Sequence, residues 1–170
     1  ELFLPDEPSG TLPRIGLGVA GHGQPLSAPE ITRLAALRLD HPRLDLRLAD
    51  PRWEQTLARG LDQARQLDTA LELALHLPPG KANRALAALR DRLRQAPAPV
   101  ARVLVLREGK PVTTPATLSR ARAGLKGLGL SLGMGTDAHF CELNREHALG
   151  HFDAAAADCV FWPITPQVHT

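Results

Sequence analysis

The chain has 170 residues, a length that suits one domain with a sizeable core. Hydrophobic residues make up 44% of it and charged residues 22%, and its formal net charge is +2. Basic residues are mixed with acidic ones along the chain, which argues against a protein that binds nucleic acid. No apolar run is long enough to span a bilayer, which argues against a membrane protein.

The start of the chain and its cysteines indicate where in the cell we expect the protein. The sequence opens Glu1-Leu2-Phe3, without the basic start and apolar core of a signal peptide. Its two cysteines, Cys141 and Cys159, are too few for a disulfide framework, and we interpret them as reduced thiols. We therefore predict a cytoplasmic location. Because the first residue is not methionine, we expect the chain to be an excerpt of a longer protein or a processed product.

A strand-like run of β-branched residues and leucine recurs six times, about every 29 residues, which is the length of a strand–helix unit. Equal spacing predicts one architecture with parallel strands. The predicted strands cover residues 14–20, 43–49, 70–77, 101–107, 130–135 and 158–164.

Helix-start signals lie between these runs. Ser27 and Glu30 form a capping box, and the pairs Asp-Pro at 50–51 and Thr-Pro at 114–115 each put a capping side chain before a proline. The region after the fifth strand differs, since only the short alanine run 154–157 looks helical there. We predict that the polar segment before that run is an enlarged loop.

Six such units fit either an open sheet with helices on both faces or three quarters of an eight-stranded barrel. Residues 16–21 spell G-x-G-x-x-G, a pattern of dinucleotide sites in open sheets. The next helix starts only at Ser27, so these glycines cannot present phosphate to its first turn. We therefore predict an α/β fold, a (β/α) barrel of TIM type with about six of eight units, in residues 14–170. Residues 1–13 are predicted to be an N-terminal linker, and no cofactor is predicted.

Polar residues follow the fifth strand, and in an α/β barrel the carboxyl ends of the strands carry the active site. These residues are Asp137, His139, Glu142 and Asn144. A carboxylate can act as nucleophile or general base, and a neighbouring imidazole can return the proton. The alternative is that Asp137 caps the loop while Glu142 pairs with Arg145 in solvent.

Further polar residues lie near the ends of two other strands. Gln167 and His169 follow the sixth strand, in a loop that Pro163 and Pro166 stiffen. A stiff loop can hold these side chains in a set geometry for a site, and the alternative is a rigid turn with an exposed histidine. His76 lies near the end of the third strand and is either at the mouth or a hydrogen-bonded structural histidine. A metal on His139, Glu142 and His169 is conceivable, but their spacing matches no zinc signature, so no metal is predicted.

Two blocks of sequence suggest a family. Residues 135–145 spell G-T-D-A-H-F-C-E-L-N-R, and residues 166–169 spell P-Q-V-H. They resemble the barrel domain of the D-apionate lactonase family, in which G-T-[DN]-A-x-F-x-E-L-N-R is followed one strand later by N-P-Q-V-H-A. This chain departs from that pattern at Thr165, where the family has Asn, and at Thr170, where it has Ala. A threonine hydroxyl reaches less far than an Asn amide, so substrate contacts at Thr165 should differ.

The resemblance implies a TIM barrel that acts on a sugar-acid lactone, with flanking domains and the last two barrel strands elsewhere in a longer chain. We expect ring opening by hydrolysis, with Glu142 as general base or nucleophile and His139 or His169 moving the proton. The expected partner is a small sugar lactone or carbohydrate, and the residues expected to bind it are Asp137, Asn144, Gln167 and His76.

Three other interpretations remain. One is a glycoside hydrolase that uses paired carboxylates, with a second acid about 5–10 Å from Glu142. Another is a carbohydrate-binding barrel that has lost its chemistry. The third is an incomplete barrel that does not fold alone and exposes an edge at its sixth strand.

Overall fold

The structure is a computed structural model, and it describes residues 14–95, 100–136 and 140–161. Within these ranges six strands alternate with five α-helices and one 3-10 turn. The strands are β1 (Gly16–Gly18), β2 (His41–Arg47), β3 (Leu71–Leu77), β4 (Val100–Arg107), β5 (Ser131–Gly135) and β6 (Val160–Phe161). The α-helices are α1 (Ala28–Ala36), α2 (Trp53–Gln66), α3 (Ala82–Gln95), α4 (Pro115–Gly124) and α5 (Phe140–Ala148), and the 3-10 turn is Ala154–Ala156.

The strands form one sheet in the order β1-β2-β3-β4-β5-β6, and every neighbouring pair is parallel. A doubly wound sheet reverses its strand order at a switch point, and no reversal occurs over the described strands. Right-handed crossovers that all step in one direction put their helices on one face of the sheet. The sheet therefore has the winding of a (β/α) barrel. The predicted barrel fold is confirmed, with six strands and five α-helices in the described ranges.

Alternate residues of β3 face opposite sides of the sheet. The four leucines at its odd-numbered positions are buried in the main core between the sheet and the helices. Ala74 faces the other side, where it packs with Leu104 and Leu106 of β4 in a second, smaller core. This second face is the concave inner face of the barrel wall, and Glu72 and His76 share it. The odd-numbered leucines of β3 are Leu71, Leu73, Leu75 and Leu77.

Charged groups are buried at the amino end of the inner face. The Glu72 side chain is only 8% exposed, and its Oε2 accepts a contact of 3.2 Å from Nε of Arg102. The same oxygen lies 3.6 Å from Nε2 of His41, whose Nδ1 lies 3.0 Å from Asp40 Oδ2. A buried carboxylate needs such partners because desolvation penalises an unpaired charge. The amino end of the inner face therefore carries charged groups that are paired with one another.

The glycines of the G-x-G-x-x-G pattern lie where the barrel interpretation placed them. Gly16 and Gly18 are residues of β1, and α1 begins at Ala28. A Cβ on Gly16 would overlap the imidazole ring of His41, so this glycine makes room for a neighbouring inner-face side chain. The pattern therefore reflects packing between β1 and β2, and its glycines do not open a helix.

Two expectations about helices are wrong. Helix α2 begins at Trp53, not at Pro51, because the Asp50 carboxylate accepts the amide of Arg52 at 2.8 Å and closes a separate turn before the helix. The predicted enlarged loop after the fifth strand contains helix α5, and the alanine run makes only the 3-10 turn. Strong helix formers and the i,i+3 pair of Glu142 with Arg145 favour that helix.

Other expectations agree with the structure where it describes them. The capping box at Ser27 starts α1, and the Thr114 side chain accepts the amide of Thr117 at the start of α4. Cys141 and Cys159 are both free thiols. Residues 1–13, the predicted linker, and residues 162–164 of the sixth predicted strand lie outside the described residues. None of the helices in the described ranges has the length and apolarity needed to cross a membrane.

Replacing Leu73 by alanine should lower the free energy of unfolding by about 2–5 kcal/mol, because the side chain is 0% exposed and its loss leaves a cavity. The matched control is Leu37→Ala, since Leu37 is 61% exposed and its truncation should change stability by less than about 0.5 kcal/mol. Urea unfolding of the full-length protein measures both. Equal effects of the two substitutions would contradict the assignment of β3 to the core.

Candidate active site

The carboxyl ends of the strands form one edge of the sheet, and part of the predicted site lies there within the described residues. His76 is the sixth residue of β3, and Glu142 and Asn144 lie on α5, directly after β5. Asp137 and His139 lie between β5 and α5, outside the described residues. Gln167 and His169 lie beyond β6 and are likewise outside them. The roles of these four residues stay predictions.

Glu142 lines a cavity of about 450 Å³ between α5 and the loop that follows β4. We call it the rim cavity. Its charged and ionisable lining groups are Arg107, Lys110, Glu142, Arg145, Glu146 and His151. The loop is held against β5 because the Thr113 amide donates to the carbonyl of Gly135 and the Thr136 hydroxyl donates to that of Pro111, at 3.2 and 2.7 Å. The cavity is therefore built on the carboxyl ends of β4 and β5.

The Glu142 side chain is half-buried and has one cationic neighbour on its own helix. Its Oε1 lies 3.5 Å from a guanidinium nitrogen of Arg145, with 40% of the glutamate side chain exposed. This is the Glu142–Arg145 pair that the sequence offered as an alternative. The pair leaves much of the carboxylate open to the cavity, so pairing and a chemical role are compatible.

Glu146 and His151 also line the rim cavity, and the sequence interpretation did not include them. Glu146 Oε2 lies 2.9 Å from His151 Nδ1, and its Oε1 lies 3.7 Å from Arg145. The Glu146 side chain is only 12% exposed, whereas that of His151 is 57% exposed. A carboxylate that holds one ring nitrogen fixes the tautomer and leaves the other nitrogen for proton transfer. Glu146 is four residues after Glu142, so recognition of α5 would have put both on one helix face.

Asn144 is separated from this arrangement by helix geometry. It is two residues after Glu142, and positions two apart on an α-helix point to nearly opposite sides. Asn144 is exposed and does not line the rim cavity. Its predicted contact with the same substrate therefore has no support from the described geometry and stays a prediction.

A second polar cluster lies on the inner face, towards the carboxyl ends of β2 and β3. We call it the inner-face cluster, and it consists of Arg43, Asp45 and His76. His76 Nε2 lies 3.2 Å from Asp45 Oδ1, and the same oxygen lies 3.4 Å from a guanidinium nitrogen of Arg43. The His76 side chain is 7% exposed, whereas that of Asp45 is 57% exposed. His76 is thus a buried, hydrogen-bonded histidine, and Asp45 is the group of this cluster that reaches open space.

The surroundings of Asp45 keep it ionised. The hydrogen bond from His76 is the main cause that lowers the pKa of the Asp45 carboxyl, and the charge of Arg43 lowers it further. Burial acts in the opposite direction and is outweighed. Asp45 also borders a cavity of about 490 Å³ next to the loop that follows β1. This aspartate was not predicted, although its position between Leu44 and Leu46 in a strand is a signal for the inner face.

In the part of the chain that the structure describes, no three or more His, Cys, Asp or Glu side chains are arranged to hold a metal ion. His139 and His169, which would complete the conceivable site with Glu142, lie outside that part.

Comparison with known proteins gives one specific result. Residues 15–170 match the family described as D-apionate lactonase, TIM barrel domain. No curated protein sequence matches the chain. Among solved structures, a zinc-bound amidohydrolase from Burkholderia ambifaria is similar over 74% of this chain, with 16% sequence identity and a TM-score of 0.40. The matched region spans only 38% of that amidohydrolase.

Replacing His76 by leucine should raise the titration midpoint of the Asp45 carboxyl, because the hydrogen bond that most lowers its pKa is lost. The side-chain carboxyl carbon of Asp45, followed by NMR in the full-length protein, reports the midpoint. Since the folded pKa is depressed, ionised Asp45 stabilises the fold above its unfolded pKa of about 3.9, and this contribution is lost as the pH falls through the folded pKa.

The control for this titration is His151→Leu, which removes a histidine that contacts Glu146 and not Asp45. It should leave the Asp45 midpoint unchanged. An unchanged midpoint in His76→Leu as well would show that His76 does not hold the aspartate.

Proposed function

Because the chain belongs to the D-apionate lactonase TIM barrel domain family, we propose that it is the barrel domain of a hydrolase that opens a sugar-acid lactone. A lactonase is a hydrolase, so hydrolysis is the class of reaction that the family carries. The observation that supports a site in this chain is the rim cavity, where Glu142 is half-exposed beside the Glu146–His151 pair. The sugar and the mechanism are part of the proposal.

Glu142 is the proposed general base. Its carboxylate takes a proton from a water molecule as the water oxygen forms a bond to the ring carbonyl carbon, and the carbonyl π electrons move onto the oxygen. When the carbonyl re-forms, the bond to the ring oxygen breaks, and that oxygen leaves as a hydroxyl after receiving a proton. The new carboxylic acid loses its proton, and Glu142 returns its own to solvent, so the product is one open-chain molecule with a carboxylate and an alcohol, and one proton is released for each ring opened.

His151 is a proposed donor of the proton to the ring oxygen. The carboxylate of Glu146 holds its Nδ1, so Nε2 is the nitrogen that remains for the reaction. His139 and His169, which the sequence predicted for proton transfer, stay candidates for the same step. An imidazole is suited to it because its ordinary pKa lies near neutral pH.

The oxyanion that forms during attack needs positive charge or hydrogen-bond donors. Arg107 and Lys110 line the rim cavity, and neither has a carboxylate partner within the described residues. One well-placed donor to such an oxyanion is typically worth about 3 kcal/mol in the transition state. We assign these two cations to the oxyanion.

A glycoside hydrolase is less well supported by the same site. Paired-carboxylate hydrolysis needs two acids that flank the scissile bond. Glu142 and Glu146 lie on one face of one helix, and Glu146 is already engaged by His151 and Arg145. If no turnover depends on Glu142 in the experiment below, the result would favour a carbohydrate-binding barrel without catalytic activity.

Replacing Glu142 by glutamine in the full-length protein should lower kcat for aldonolactone hydrolysis by about 10²–10⁴-fold with little change in KM, since a general base contributes about that much. Release of acid on ring opening, followed with a pH indicator, measures the rate. The matched control is Glu54→Gln, because Glu54 is an exposed helical glutamate paired with an arginine, Arg92, away from the rim cavity.

Turnover within two-fold of the wild-type value in Glu142→Gln would remove Glu142 from the role of base. An aryl glycoside assayed in parallel separates the two enzyme classes. Cleavage of the glycoside, and not of the lactone, would favour the glycoside hydrolase.

A further inference from the structure

A third cavity, separate from the rim cavity and from the one beside Asp45, lies on the helix side of the carboxyl edge. It measures about 550 Å³ and is enclosed by the loop between β3 and α3, the end of β4 and helix α4. Four basic side chains line it, and no acidic side chain does. We call it the cationic cavity, after Lys81, Arg84, Arg107 and Arg120.

These four cations have no carboxylate partner within the described residues. In the described ranges nine other arginines have a carboxylate oxygen between 3.2 and 3.8 Å away. Over the same part of the chain, no such pair involves the four side chains of the cationic cavity. Glu108, the acid next to Arg107 in sequence, lies 3.8 Å from Arg47. Four like charges around one concave space repel one another, and a bound anion would relieve that repulsion.

The backbone conformation determines the positions of these four charged residues. Pro78 and Pro79 restrict their own φ angles, and Gly80 follows with φ of +73°, a left-handed conformation that glycine adopts without strain. Lys81 comes next, and its carbonyl accepts the amide of Ala85 at 3.1 Å as α3 begins. The other cations lie on α3, at the end of β4 and on α4. Three elements of the barrel wall therefore bring the four charges together.

We infer that the cationic cavity is a binding site for a small oxyanion, a phosphate or carboxylate group of a metabolite-sized molecule. Guanidinium groups suit such ligands because their planar N–H donors match a pair of oxygens. The cavity volume is within the range of small-molecule sites. Arg107 lines both this cavity and the rim cavity, so an anion bound here lies next to the proposed catalytic residues. The inference concerns binding and does not depend on the proposed lactonase activity.

The test is a calorimetric titration of the full-length protein, at low and constant ionic strength, with three probes. Inorganic phosphate represents a phosphate group, gluconate represents a carboxylate, and methyl glucoside is a neutral sugar of similar size. Phosphate, gluconate or both should bind, and methyl glucoside should not. Which of the two anions binds more tightly identifies the source of the oxyanion.

Variants then locate the bound anion. Arg84→Ala and Arg120→Ala should each weaken its binding by roughly ten-fold or more, because a charge-assisted hydrogen bond is lost. Both side chains are exposed, so the fold should persist, and thermal unfolding checks this. The matched control Arg65→Ala removes an exposed arginine of α2 outside the cavity and should bind the anion as the wild type does. Absence of binding by both anions, or equal binding in all three variants, would overturn the inference.

Discussion

The positions of the polar groups on the inner face of the barrel wall depend on the two-residue alternation of β3. Its odd-numbered leucines are buried against the helices, and its even-numbered residues, Glu72, Ala74 and His76, face the inside of the barrel wall. A slip of one residue in its pairing with β2 would exchange the two faces and bury a glutamate and a histidine among leucines. The apolar face therefore fixes the register, and the register brings His76 within 3.2 Å of Asp45. Packing on one side of the sheet thus determines the chemistry available on the other.

The parts of the fold that could be predicted are those with a local signal. Strand positions follow from apolar runs at regular spacing, and α4 starts where Thr114 and Pro115 indicate. Helix α5 was missed because it begins beside glycine-rich sequence and carries few apolar residues, so that its stability comes from helix propensity and from pairs such as Glu142 with Arg145. The start of α2 was misplaced because Asp50 closes a turn instead of capping the helix. Both errors concern which of two local hydrogen-bonding arrangements the chain adopts.

The candidate site could be predicted only where the sequence places residues directly after a strand. The sequence indicates Glu142 in this way. It does not indicate that Glu142 lies on a helix face that lines a cavity. Asp45 lies inside a strand, and its side-chain contact with His76, which is 31 positions later in the chain, depends on how β2 pairs with β3. The pairing of Glu146 with His151 similarly depends on how the chain turns after α5. Contacts between secondary-structure elements bring these residues together, and a pattern read along the sequence carries little information about such contacts.

The strands lie in the sheet in the same order as in the chain, and this affects how the barrel wall assembles during folding. Residues paired across neighbouring strands are between 25 and 30 positions apart, from Gly16 with His41 to Met134 with Val160. Each unit can therefore dock on the unit before it without waiting for distant sequence, and the entropic cost of loop closure stays nearly constant from one step to the next. Such a wall is suited to growth in the direction of synthesis, with each newly made strand serving as the template for its successor.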